Sequence, residues 1–136
     1  MLTTLKKRSS FQKATASTMR WHIPSCVIQV LPLAEAATLE KITTPPLPQL
    51  IGYTASKRIG NAVKRNRAKR RLRAAAFEVL NNNPDVAPFA VVLVAKAPVL
   101  SQPFTDLTAD LKKALRILCT KYGAAALMPS SLPTER

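Results

Sequence analysis

Seven consecutive residues, Phe89-Ala90-Val91-Val92-Leu93-Val94-Ala95, carry no polar side chain. A run this short and unbroken reads as a central strand buried on both faces, and it commits the chain to a covered sheet. Helices are available to cover it. From Asn61 to Leu80, the residues Ala68, Leu72, Ala75, Ala76 and Val79 recur at three- and four-residue steps and form one apolar stripe. Asn61 is placed as its N-cap, and Asn81-Asn82-Asn83-Pro84 stops it. A last helix is expected over Thr105–Tyr122, striped by Leu107, Leu111, Leu115 and Leu118. Asp106 near its start and Lys121 near its end suit the helix dipole.

The remaining elements are weaker. Cys26–Leu31 is apolar and β-branched, a strand in which Gln29 points away from the face of Ile28 and Val30. Leu50–Ser56 is a second strand, with Gly52 marking a bulge or the close approach of another backbone. Residues 32–41 have no clear two-residue period and Pro45, Pro46 and Pro48 follow, so 32–48 reads as a connection with room for a helical turn. Lys6-Lys7-Arg8 reads as a mobile basic start, and Ser9-Ser10 offers an N-cap to a short helix over 11–16. The tail, 123–136, is expected to be disordered, leaving one domain over 1–122. The order is that of an α+β sandwich with helices on a small sheet.

Charge narrows the function. Twenty-one Lys and Arg against 7 Asp and Glu give +14, which points to a polyanionic partner and away from an acidic protein or a small anion. No apolar run approaches the roughly 20 residues of a membrane span. Cys26 and Cys119 are too few for a disulfide framework and too isolated for zinc; buried free thiols in a reducing, cytoplasmic setting are expected. The acid-free first 34 residues also suit a transit peptide, but they end in a strand-like run instead of a cleavable tail.

Nine of the 21 basic residues lie within 57–73, and no acid falls between 41 and 77. Repulsion along one helix at this density calls for a counter-charge from outside. Setting Ala68, Leu72, Ala75 and Val79 inward leaves Arg67, Lys69, Arg70, Arg71 and Arg73 on the flanks and outer side, with Arg65 and Asn66 in the first turns. Six of the nine are arginines, whose planar forks grip phosphate with two hydrogen bonds and stack on bases. Asn66 offers a donor and an acceptor to a 2′-hydroxyl or base edge, and the helix start offers free N–H groups. A DNA-reading helix fits less well: strands flank this helix, and nearly every outward residue is a cation. Backbone recognition of a folded RNA fits better.

The run Ile51-Gly52-Tyr53-Thr54-Ala55-Ser56-Lys57-Arg58-Ile59-Gly60-Asn61-Ala62-Val63-Lys64-Arg65-Asn66-Arg67, followed by Ala68-Lys69-Arg70-Arg71-Leu72-Arg73, resembles the signature of the bacterial ribonuclease P protein subunit. Lys6-Lys7-Arg8 with Phe11 resembles that family's opening, and the match spans roughly residues 5–120. The resemblance implies an α-β-β-β-α-β-α fold with an uncommon left-handed crossover, and a further strand near 33–42. It implies that a partner RNA holds Mg2+ and hydrolyses the phosphodiester that joins the 5′ leader to precursor tRNA. Lys57, Arg58, Asn61, Lys64, Arg65, Asn66, Arg67, Lys69, Arg70, Arg71 and Arg73 would then contact RNA. A cleft between the first helix and the sheet, with Phe11, Lys13 and Gln29, would take the leader. Thr15 and Gln29 stand where the family often has rings; Trp21 and Tyr53 are candidate replacements.

The chemistry of the residues agrees with a non-catalytic protein. The acids are scattered and His22 is the sole histidine, a surface or linker residue, so neither a two-metal carboxylate cluster nor a triad is expected. A structural ribosomal protein or RNA chaperone is the competing reading, and a nuclease acting alone is a third.

Overall fold

In the computed structural model the described residues are 2–16, 19–42, 49–81 and 89–127. In chain order the elements are β1 (Leu2–Thr4), α1 (Arg8–Ala16), β2 (Arg20–Ile23), β3 (Cys26–Pro32), α2 (Leu33–Leu39), β4 (Gln49–Thr54), α3 (Ala62–Asn81), β5 (Phe89–Ala95) and α4 (Phe104–Leu127). Short 3₁₀ turns occupy Lys57–Ile59 and Ala97–Leu100.

The five strands run β1-β4-β5-β3-β2 across one mixed sheet. The apolar run Phe89–Ala95 is indeed its central strand, parallel to β4 and antiparallel to β3. The two-residue period sorts the sheet into two cores. Ile28, Val30, Ile51, Val91 and Leu93 face Leu72, Ala75 and Ala76 of α3 and Leu107, Leu111 and Leu118 of α4. Leu31, Leu50, Ala90 and Val92 face Ala14 of α1 and Ala36 and Ala37 of α2. Truncating a position such as Leu93, which is fully buried, to Ala costs on the order of 2–5 kcal/mol.

Several expectations are corrected. The N-terminus is not a loose basic start: Leu2–Thr4 adds a parallel edge strand to β4, with Leu2 opposite Gln49. Ser9 and Ser10 are inside α1 instead of capping it. The strand looked for near 33–42 is a helix, because the Leu-Ala-Glu-Ala-Ala-Thr-Leu stretch is made of good helix formers. It ends where Lys41 takes a left-handed backbone (φ 62°) and the Ile42 N–H donates to the Ala37 carbonyl. The extra strands are β1 and β2, and β2 pairs antiparallel with β3. Helix α4 continues to Leu127, into the stretch expected to be disordered. The Pro45–Pro48 cluster, the Asn82–Pro84 stop and residues 128–136 lie outside the described residues.

Gly52 is in regular register with Val92, so there is no bulge. What approaches it is a side chain: a Cβ there would lie 2.8 Å from Phe11 Cε1 and 3.2 Å from Leu5 Cδ1.

Candidate nucleic-acid interface

The entry to α3 is fixed before its cations are displayed. Ser56 Oγ accepts from the Arg58 N–H, and buried Ile59 pins the turn. Gly60 takes φ 138°, a conformation strained for any L side chain, and a Cβ there would lie 2.7 Å from Lys64 Cδ. Asn61 is the N-cap expected from the sequence: its Oδ1 accepts from the Lys64 N–H at 3.0 Å.

The nine cations of 57–73 do not share one environment. Lys57, Arg58, Lys64, Arg67, Arg70 and Arg73 are exposed, as are Asn61 and Asn66, while Arg65, Lys69 and Arg71 are partly covered. Arg65 Nη1 donates to the Gly60 carbonyl at 2.9 Å and braces the turn. Arg73 is exposed, but its guanidinium lies 5.3 Å above the centroid of the Tyr53 ring. Burial pushes the Tyr53 hydroxyl up to about 12 despite the lowering effect of the Arg73 charge.

Arg71 departs from the exposed stripe. Its Nη2 donates to the Gln102 carbonyl, and its Nε is buried with no partner among the described residues. Gln102 also accepts from Ser25 Oγ and donates to Asp110 Oδ2, so Arg71 belongs to a junction between α3, the β2–β3 turn and α4. Arg71 lies on a flank of α3, as expected from the apolar stripe. What occupies that flank was invisible, because Gln102 is 31 residues away in the chain.

On the other side of the sheet, α1 covers only part of the strands. Phe11 lies half-buried over Gly52. Beyond it, the pairings His22–Val27, Val27–Val94 and Val94–Thr54 run in one row across four strands. All four of these side chains are partly or fully exposed. This partly exposed row lies beside α1, on the side of the sheet where the leader cleft was expected. Thr54 sits at its β4 end, three residues before Lys57.

Gln29 is on the cleft face, 7 % exposed, with its Oε1 unpartnered among the described residues. Lys13 lies elsewhere. Two residues on from Phe11 is more than half a helical turn, and its Nζ pairs with Glu35 Oε2 of α2 at 3.4 Å. Trp21 and Tyr53 do not replace the missing rings, since both point to the α3–α4 face. Arg20 and His22 lie on β2, a strand not expected from the sequence, opposite Gln29 and Val27. Arg20 Nη2 donates to the Thr15 carbonyl at 2.8 Å, joining β2 to the end of α1. His22 is exposed, as expected of a surface histidine.

Among the described residues no group of three or more His, Cys, Asp or Glu could hold a metal ion, and no helix is long and apolar enough to cross a membrane. Cys26 is buried as expected, but Cys119 is exposed, one helical step past buried Leu118.

A mixed sheet covered by helices on both faces, one of them a cationic ridge with no acid between residues 41 and 77, defines a small α+β protein of nucleic-acid-binding type. Two solved structures share this fold: the RNase P protein of Staphylococcus aureus (TM-score 0.61, 23 % identity, 84 % of this chain and 93 % of that one) and that of Thermotoga maritima (TM-score 0.63, 15 % identity, 85 % and 96 %). The ribonuclease P family model matches residues 2–119. The ribonuclease P protein component of Ruegeria pomeroyi is 41 % identical over 120 residues, covering 86 % of each chain. That of Paramagnetospirillum magneticum is 34 % identical over 112 residues, 82 % of this chain and 79 % of the relative. The chain belongs to the ribonuclease P protein family, and a role in tRNA processing, within an RNA-cleaving enzyme, follows from that membership.

Proposed function

We infer that this protein supplies no reacting group and acts by electrostatics and positioning on a catalytic RNA and its precursor-tRNA substrate. The six exposed cations of 57–73, unbalanced by any acid between 41 and 77, carry this reading. Their guanidinium and ammonium groups offset phosphate repulsion where two RNAs meet. Arg65 and Gly60 hold the turn that aims the first of them.

The cleft beside Phe11 takes the single-stranded 5′ leader. Phe11 offers one ring for stacking, and the row from His22 to Thr54 offers two partly exposed valines flanked by a histidine and a threonine. Because Thr54 leads directly into Lys57, a strand leaving the cleft passes onto the cationic turn. In this reading the catalytic RNA holds the Mg2+.

The test is to combine the protein with the ribonuclease P RNA and precursor tRNA at low Mg2+ and follow 5′ cleavage. Stimulation of cleavage by the RNA is expected. RNA binding without stimulation would favour a purely structural or chaperone role, and cleavage by the protein alone would overturn the reading.

A further inference from the structure

We propose that Phe77 is a base-stacking contact at the far end of the cationic ridge, taking an unpaired base of the RNA that docks on α3. This proposal rests on the RNA-docking reading of that helix.

Phe77 is 55 % exposed, one of two large apolar side chains so exposed among the described residues. Its neighbour Ala76 is fully buried and does the packing against the sheet. Phe77 therefore contributes little to the core, and the fold does not require a ring there. Its position on the helix is specific. Asn66, Arg70, Arg73 and Phe77 follow at steps of four, three and four residues and share one outer face, and all four are exposed. The ring continues the row of donors by one turn, roughly 6 Å along the axis beyond Arg73. Glu78, next in sequence, lies about 100° around the helix and off this face.

The surroundings select the occupant. An apolar protein surface laid on Phe77 would have to strip water from Arg70 and Arg73 without a counter-charge. A nucleotide strand satisfies both kinds of group, with phosphates on the guanidiniums and a base on the ring. Stacking uses the π-face that every base has, so no base preference is expected.

Affinity of the full-length protein for the ribonuclease P RNA, measured across a salt series, tests this. Phe77→Ala should weaken binding by about thirtyfold, the middle of the range expected for one stacked base. Phe77→Leu should lose nearly as much, and Phe77→Trp should bind as well as the parent. The log–log salt slope should be the same for all four, since no phosphate contact is lost, whereas Arg70→Ala should lower it. Thermal unfolding should be unchanged by all three Phe77 substitutions. Full affinity in Phe77→Ala, or in Phe77→Leu, would overturn the stack. Loss of the Arg70 effect as well would instead remove the RNA-docking reading of the helix.

Discussion

Phe11 and Gly52 are a matched pair: the ring edge of the one occupies the space a side chain on the other would need, with Phe11 Cε1 2.8 Å and Cζ 3.0 Å from where a Cβ would stand. The absent side chain seats α1 on the sheet and sets how far the ring reaches toward the open row of His22, Val27, Val94 and Thr54. Gly52→Ala is therefore expected to push Phe11 outward and to destabilise the fold by about 1–3 kcal/mol. Combining it with Phe11→Leu, a smaller side chain, should cost less than the sum of the two single changes in denaturant unfolding. Strict additivity would mean that the two residues do not touch.

Arg67 and Arg71 sit one helical turn apart and should fail in different ways. Arg67 is exposed, so Arg67→Ala should leave stability within about 0.5 kcal/mol while reducing the salt slope of RNA binding by about 0.7–0.9. Arg71 is spent on the Gln102 carbonyl. Arg71→Ala should lower stability by about 1–3 kcal/mol and leave the slope alone. With six exposed cations engaged, the parent slope should be roughly −4 to −5. Equal slope losses at both arginines would reduce the ridge to bulk charge.

Glu40 ties the N-terminal segment to the end of α2. Its carboxylate accepts from the Lys6 N–H at 3.0 Å, the Lys7 N–H at 2.8 Å and Ser10 Oγ at 2.6 Å. Partial burial raises its pKa, but these hydrogen bonds and the Lys7 charge outweigh that and hold the carboxyl below its ordinary value. A group depressed in the folded state stabilises it above the unfolded pKa, and the benefit goes as pH falls through the folded one. Glu40→Gln should thus cost about 1 kcal/mol at neutral pH and nothing in acid, read from urea midpoints across pH. A pH-independent difference would mean that the charge plays no part.

The two thiols should separate cleanly. Burial pushes Cys26 up to about 12 despite the nearby Lys96 charge, and raises exposed Cys119 more modestly. A thiol-specific reagent at pH 8 should titrate one group in the folded protein, more slowly than a free thiol, and the second only on unfolding. Two rapid equivalents in the native state would contradict the buried position of Cys26.

The elements legible from the residues alone were those specified within a few positions. The unbroken apolar run of β5, the stripe through Ala68 and Leu72, and the Asn61 cap are local patterns with local physics, and they hold. Strands β1 and β2 were illegible: Thr3, Thr4, Arg20 and His22 carry no apolar alternation, and their order comes from pairing with β4 and β3. Helix α2 was reduced to a possible turn because a seven-residue helix depends on burying Ala36 and Ala37 against Leu31 and Leu50.

Composition by itself pointed this chain toward a polyanion, since nine cations fall within 57–73 and no acid lies between 41 and 77. Only the tertiary structure decided which of those cations stay free, because a charge is freed or spent by whatever lies across from it in space. Arg71 is spent on Gln102 and Arg73 lies over Tyr53, while Arg67 and Arg70 are exposed. The same folding set Phe11 against Gly52 and turned Trp21 and Tyr53 to the opposite face, an outcome of strand register that depends on residues dozens of positions away.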